Sequence, residues 1–441
     1  MTDYLFPHDS SYDTERTGYN LSVDHKPEVV VVATSAAAVV DAVRYATGRG
    51  LGVAVQATGH GVSVPADGQV LINTSRMDGV TIDPATRTAK VEAGVRGGAL
   101  VRAAAEHGLA PVNGSSPEVG VVSYHLGGGI GVLGRQLGWA VDHVRSLDIV
   151  TADGQLRHVT ATSEPELFWA LRGGGKGNLG VVVALEIDLH PIARLYGGGL
   201  HFDATDPAEA ERVLTTWGAW TRTTPETMGT SVLLIQMPDL PVLPEPIRGK
   251  RVIHVRVAFT GQAADGERQI APLRELGPVT DSVTEMPYSR IGTIHAEPTA
   301  PAAFHARNAM LHSFDQDTAA EIVAEADSAR FLVEVRHMGG AFARPGAMPS
   351  ALGRRDGDYV IYAGGVADGE AAASLTADLD RLVTSMEPWA TGGPAVNFLS
   401  GPEVSAARLG AGYRPVDLER LAAIKRAVDP ADVFRTHHGR A

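Results

Sequence analysis

The residues best placed to do chemistry sit in glycine-rich loops. Gln56-Ala57-Thr58-Gly59-His60-Gly61 follows a short apolar run. Small residues at a strand end let successive backbone N–H groups converge on a pyrophosphate, and an imidazole there would lie against the bound nucleotide. Taken alone, the stretch is read better as a loop histidine bonded to backbone. Leu126-Gly127-Gly128-Gly129-Ile130-Gly131-Val132-Leu133-Gly134 contains G-x-G-x-x-G after a strand-like run. The dinucleotide fold with that fingerprint needs a helix and then a parallel strand. Only about ten residues separate Gly134 from the strand expected near Val144, and a parallel crossover takes roughly a dozen or more. Nicotinamide binding is therefore rejected. Arg172-Gly173-Gly174-Gly175-Lys176-Gly177-Asn178-Leu179-Gly180 lacks the Gly-Lys-Ser/Thr of a phosphate-binding Walker loop and is read alone as a flexible surface turn. The sequence has no G-x-S-x-G nucleophile elbow and no H-E-x-x-H zinc helix. His437-His438 reads as part of a mobile tail, and no metal site is expected.

These loops need elements to hold them. Glu28–Ala33 is a β-branched run suited to a strand buried on both faces. Ser35 caps a helix expected over Ala36–Thr47, and Gly52–Gln56 forms the next strand, making a compact βαβ unit. Strands are expected at Val70–Asn73, Val80–Ile82 and Thr88–Glu92, with a helix over Ala99–His107. Asp148–Thr151 and Gln155–Thr160 form a hairpin around Ala152-Asp153-Gly154. A short helix covers Glu166–Leu171, and Val181–Leu189 is a strand. From about Tyr196 the texture changes. Strands at Gly198–Phe202, Val232–Gln236, Val252–Thr260, Phe331–His337 and Asp358–Gly364 alternate with helices near 207–219, 316–328 and 369–386, as in an antiparallel sheet covered by helices. An amphipathic helix is expected over Val416–Val428.

The 441 residues leave room for several domains. With 38 Lys+Arg against 51 Asp+Glu the net charge is −13. Such a surface repels phosphate backbones, so nucleic acid is not an expected partner. No run approaches the ~20 apolar residues of a membrane span, and Met1-Thr2-Asp3-Tyr4 does not open a signal peptide. Cysteine is absent, which excludes disulfides and thiolate chemistry and fits a cytoplasmic location. The 50 glycines cluster between strand-like runs, the places where a backbone must approach a nucleotide-type ligand closely.

Taken together and in this order, the segments resemble the FAD-linked oxidases of the vanillyl-alcohol-oxidase type. Within these the resemblance is to the berberine-bridge-enzyme-like group, which includes bacterial 6-hydroxynicotine and sugar or antibiotic oxidases. It is carried by PEVVVVATSAAAVVDAVRYA, GVAVQATGHG, AGVRGGALVRAAAEHGLA, PEVGVVSYHLGGGIGVLGRQLGWAVDHV, DIVTADG, EPELFWALRGGGKGNLGVV and, near the end, LERLAAIKRAVDPADVF. It implies an α+β fold, with a two-subdomain PCMH-type FAD-binding domain and a substrate domain whose antiparallel sheet is flanked by helices. The implied divisions are 1–195, 196–394 and a C-terminal return at 395–441.

The resemblance places His60 where the family attaches the flavin 8α carbon to a histidine, with Gln56, Ala57, Thr58, Gly59 and Gly61 around it. Many members add a second bond from a cysteine. Here that position is Ser116, so a mono-covalent FAD through His60 is expected, with a lower potential and a more easily oxidised substrate. Val119, beside Gly120, occupies the position that gates oxygen access, and its small size points to an oxidase. Gly127, Gly128, Gly129, Asp142, Gly174, Gly175, Asn178 and Val182 fall in FAD-contacting stretches. The family's Tyr-x-Asn reads Ala395-Val396-Asn397, so Asn397 is kept but the Tyr base is missing, and the glycine loop before Asn178 is one residue longer than the pattern. Substitute bases are Tyr124 and His125, or residues of the roofing strand. On that strand Glu334, Arg336 and Met338 share one face, and Val335 and His337 the other. The aromatic residues Trp217, Trp220, Tyr288, Phe331 and Tyr362 fit either a pocket wall or core packing.

The implied function is an FAD-dependent oxidase. It removes hydride from a C–H next to an OH or amine of a small organic molecule, a secondary metabolite among the options, and dioxygen reoxidises the flavin to give hydrogen peroxide. A monomer or homodimer is expected. Two rival readings stay open: a flavin-bound non-redox cyclase or eliminating enzyme, and a binding protein with a vestigial FAD cleft.

Overall fold

The structure is a computed structural model that describes residues 3–62, 64–326, 330–402 and 404–435. His437 and His438 lie outside the described residues. Three sheets organise the chain. The first contains β1 (Asp3–Leu5), β2 (Val29–Val32), β3 (Val53–Gln56) and β4 (Val70–Asn73) in the order β1-β2-β4-β3. All four β2 valines are buried, as a continuous apolar run requires. Ser35 caps the helix Ala36–Thr47 through a hydrogen bond from the Ala38 amide. The expected βαβ unit differs in one respect: β4 lies between β2 and β3, parallel to both.

The second sheet holds β5 (Val80–Asp83), β6 (Thr88–Glu92), β7 (Val144–Val150), β8 (Leu156–Thr160) and β9 (Val181–Asp188), in the order β5-β6-β9-β7-β8. The β7–β8 hairpin has the expected turn, with Val150 opposite Leu156. Its core draws in Val396, Leu399, Leu409, Tyr413, Leu421 and Ile424, so the end of the chain packs back onto the sheet of the first half. The helix there spans Pro415–Val428. One expectation fails: the run leading into the Gly127–Gly134 motif, expected to be strand-like, is the helix Val121–Leu126. Its valines at 121 and 122 and Leu126 pack against Val95 and Leu100, and this tertiary contact overrides the β preference of the valines.

The third sheet is antiparallel throughout and joins β10 (Arg194–Asp203), β11 (Met228–Gln236), β12 (Arg251–Phe259), β13 (Thr280–Asp281), β14 (Thr284–Pro287), β15 (Phe304–Leu311), β16 (Leu332–His337) and β17 (Tyr359–Val366). Helices Pro207–Thr221, Gln316–Ala326 and Gly369–Ser385 bury its apolar face. Trp217 and Trp220 belong to that core, with indole N–H groups on Thr230 Oγ1 and the Gln269 carbonyl. Tyr288 is buried and donates to the Pro111 carbonyl at 2.8 Å. Only Phe331 and Tyr362 of the five aromatic candidates reach the cavity described next.

Candidate functional site

A cavity of about 1220 Å³ runs between the polar face of the third sheet and the loops of the first two. One drug-sized ligand takes roughly 300–1000 Å³, so this space suits a dinucleotide and a substrate together.

One wall is the loop after β3. Gln56, Ala57, Thr58, Gly59, His60 and Gly61 all line the cavity. His60 is fixed on two sides: its Nδ1 meets the Thr58 hydroxyl at 2.9 Å, and its ring stacks on Tyr19 at 3.8 Å. Burial, aided by Arg96, pushes the imidazole down to about 4, so it is neutral at physiological pH. Its buried Nε2 has no partner among the described residues. The tautomer with Nδ1–H on Thr58 leaves that nitrogen a free lone pair, the form a nucleophile needs.

Ser116, Val119, Tyr124, His125 and Val182 extend this wall. His125 Nδ1 lies 2.8 Å from the Val121 carbonyl, which fixes the proton on Nδ1, and Nε2 is buried without a partner among the described residues. Burial pushes His125 down to about 4. The Tyr124 hydroxyl is also buried and partnerless among the described residues, and desolvation raises its pKa, so it stays a phenol.

The opposite wall belongs to the sheet. Glu334 accepts from Arg256 at 2.6 Å, from Arg336 at 2.9 Å and from Ser231 at 3.1 Å. Burial would raise the Glu334 carboxyl, but Arg336 and Arg256 outweigh it and hold it below the ordinary range. Arg336 also donates to the Ser115 hydroxyl at 3.0 Å, tying the sheet to the opposing loop. His201 and His254 stack at 4.0 Å; burial and Arg256 keep both neutral. Leu233, Ile235, Leu240, Leu243 and Ile247 give the far end an apolar lining.

Other expected residues lie off the cavity. His337 turns to the other side of β16, with Arg135 donating to its Nε2 at 2.8 Å and its ring stacked on Tyr359, so a direct catalytic role does not fit its position. Met338 follows β16 and packs with Ile130 and Trp139, away from Glu334 and Arg336. Asp142 makes a two-pronged ion pair with Arg355 at 2.6 and 2.8 Å. Gly127, Gly128 and Gly129 are packing positions: a Cβ on Gly129 would meet Ala140 at 2.6 Å, and one on Gly127 would meet Asn397 Oδ1 at 2.4 Å. Gly120 is not crowded in this way, since a Cβ there would meet Ser123, Ala57 and Thr58 only at 3.5–3.7 Å. Gly174 backs onto Leu421, Gly175 faces Asn178, and the Asn178 amide donates to the Gly174 carbonyl at 3.2 Å. The Arg172–Gly180 segment is thus no surface turn. Arg172 is wholly buried, donating to the Val141 and Pro349 carbonyls.

Sequence reasoning missed Tyr19, Lys176, His201, His254, Arg256 and Glu297, all on the cavity wall. His254 and Arg256 are two apart on one strand, as are Glu334 and Arg336. Polar pairs of period two on otherwise apolar strands were the available signal.

The residues present fit an FAD. The cleft offers a neutral histidine with a free nitrogen, buried donor and acceptor atoms, and a glycine wall; a Cβ on Gly61 would meet only Lys176 within 4 Å and so project into the cavity. Fold and cleft together define an FAD-linked oxidoreductase. A family model described as an FAD binding domain matches residues 27–160. The chain is 29% identical to (R)-6-hydroxynicotine oxidase of Paenarthrobacter nicotinovorans, over 99% of this chain and 96% of that one. The crystal structure of 6-hydroxy-D-nicotine oxidase from Arthrobacter nicotinovorans superposes with a TM-score of 0.86 at 27% identity, covering 99% and 97% of the two chains. Wild-type BBE-like 1 of Physcomitrella patens shares the fold, with a TM-score of 0.83 at 19% identity, covering 99% and 96%. The chain thus carries an FAD binding domain and is similar along nearly its whole length to an FAD-linked oxidase. Among the described residues no helix is long and apolar enough to cross a membrane.

Proposed function

We propose that this protein oxidises a small organic molecule at a C–H next to a hydroxyl or amine, with FAD held at His60 and dioxygen as the final acceptor. The observation that carries the reading is the single cavity with the His60 loop on one wall and the Glu334–Arg336 face of the sheet on the other. The chemistry FAD supplies when bound is acceptance of two electrons from the substrate C–H and their onward transfer to dioxygen as hydrogen peroxide. His60 tethers the cofactor as the sole covalent link, since Ser116 stands where a second tether would come from a cysteine. His125 takes the substrate O–H or N–H proton on Nε2, because its other nitrogen is committed to Val121. Tyr124 acts as a donor only. Arg336 and Asn397 orient the polar end of the substrate, and the Leu233–Ile247 lining holds its apolar part. The same reading divides the chain at 1–195, 196–394 and 395–441.

The test is anaerobic mixing of the yellow protein with small secondary amines and alcohols, beginning with (R)-6-hydroxynicotine. The expected result is loss of the yellow absorbance, then its return with one hydrogen peroxide per flavin when oxygen is admitted. Because the base works in its neutral form, the bleaching rate should hold level from pH 8 to 5 and fall only as pH nears the His125 value of about 4. Product formation with the flavin staying yellow would instead identify a non-redox catalyst.

A further inference from the structure

Lys176 sits in the glycine loop between the helix Pro165–Leu171 and β9, the loop whose length departs from the family pattern. The loop is wedged between the C-terminal helix and the cavity. Lys425 of that helix donates to the Asn178 carbonyl at 2.9 Å, and Lys176 lines the cavity from the other side. Its ammonium reaches across to the Asn397 carbonyl, donating at 3.0 Å, and lies 3.7 Å from where a Cβ on Gly61 would stand. Both neighbours are small or neutral. Among the described residues no carboxylate pairs with this half-buried ammonium, whereas Arg256 and Arg336 on the sheet wall share Glu334. Arg330, also on the wall, is exposed. Burial alone pushes the Lys176 ammonium down to about 8. Partial desolvation of a cation that has no counter-charge is unfavourable, and an anion brought beside it offsets that cost.

We propose that Lys176 is the cationic group of the FAD cleft, and that its partner is the negative charge the flavin ring gains on reduction. The proposal rests on the reading of this cavity as the FAD cleft. The ring rather than the pyrophosphate is the partner because of where the ammonium lies. Its acceptor residue Asn397 is followed by Phe398, which contacts both Tyr362 and the Arg336 guanidinium on the sheet wall. Lys176 therefore stands where the cofactor half of the cavity meets the substrate half. A fixed positive charge there favours the reduced flavin over the oxidised one.

The test compares Lys176→Met and Lys176→Arg with the unmodified holoenzyme, using two readouts that need no turnover. The first is the flavin midpoint potential. The second is the affinity for sulfite, which adds to the oxidised ring to give an anionic adduct and bleaches the yellow band. Lys176→Met is expected to weaken sulfite binding about tenfold and to lower the two-electron potential by the equivalent, about 30 mV. Lys176→Arg should stay within about threefold of the unmodified protein, since it keeps the charge. Unchanged sulfite affinity and potential in a fully flavin-loaded Lys176→Met would overturn the proposal. So would a variant that loses FAD affinity but keeps the sulfite response, because that outcome assigns the ammonium to the pyrophosphate. A colourless unmodified protein would overturn the FAD reading itself.

Discussion

Replacing Glu334 with leucine is expected to lower the free energy of unfolding by about 3–5 kcal/mol, the cost of removing one partner from a buried ion pair. Glu334 is 4% exposed and, among the described residues, is the one carboxylate in direct ion-pair contact with Arg256, with Glu297 acting on it only from farther away. Arg336 keeps a second carboxylate, Glu297, at 3.7 Å. The loss therefore falls mainly on Arg256, whose charge would stay in a dry wall. The companion change Arg256→Met in the same chain should recover much of the loss, because an apolar pair of similar volume needs no counter-charge. Urea unfolding of the two variants checks this. The pH dependence has a definite sign. The Glu334 carboxyl is held below its ordinary value of 4.5, so its contribution is present above that pH and fades as pH falls through the lower folded value. Glu334→Leu should lack that part of the acid sensitivity. Equal stability of the single variant and the unmodified protein at pH 7 would mean the pair is not buried as described.

Gly59→Ala is expected to cost about 2–5 kcal/mol and to strip the protein of its yellow colour. Two separate effects add. Gly59 has φ +74°, where a Cβ costs about 1–2 kcal/mol. That Cβ would also lie 2.6 Å from the Gly18 Cα and 2.9 Å from the Tyr19 nitrogen, backbone atoms that cannot swing aside. Forced displacement of this kind costs about 1–3 kcal/mol more. Tyr19 would move with its backbone, and His60 would lose the ring stacked on it. Gly50 is the control: its φ is +69°, but nothing lies within 4 Å of its Cβ position. Gly50→Ala should cost only about 1–2 kcal/mol and leave flavin content unchanged. The ratio of flavin to protein absorbance, with a urea titration, separates the two.

What could be read from the sequence followed a physical divide. Local signals read well. The β2 valine run, the Ser35 cap and the β7–β8 hairpin need only neighbouring residues, and each is present as expected. The Gln56–Gly61 loop was legible for the same reason, since a strand end, small residues and a histidine are adjacent in the chain. Elements whose faces are set by distant partners read poorly. β15 escaped notice because His305, Arg307 and Asn308 break its apolar pattern, and all three are buried by contacts far along the chain. The helix Ala263–Arg274 was hidden by Pro272 and Gly266. The sheet wall of the site was half visible. Period two put Glu334 and Arg336 on one face, but Arg256, 78 residues earlier, joins them only through strand pairing. The same alternation correctly set Val335 and His337 on the other face, and the structure adds what holds His337 there. Lys176 was quoted within its loop and given no role, because a surface turn and a loop pinned beneath a C-terminal helix look alike in sequence.

The most direct test of the account is where the flavin is attached. Trypsin cleavage after Arg49 and Arg76 releases residues 50–76, a peptide with one histidine, His60. The account predicts that acid-precipitated protein keeps its yellow colour in the pellet. After digestion, all the flavin fluorescence should travel with that peptide, and His60→Ala should abolish it. Because burial holds His60 neutral down to about pH 4, attachment should be equally complete at pH 6 and pH 8. Flavin released free into the acid supernatant from fully loaded protein, or fluorescence on a peptide other than 50–76, would contradict the account.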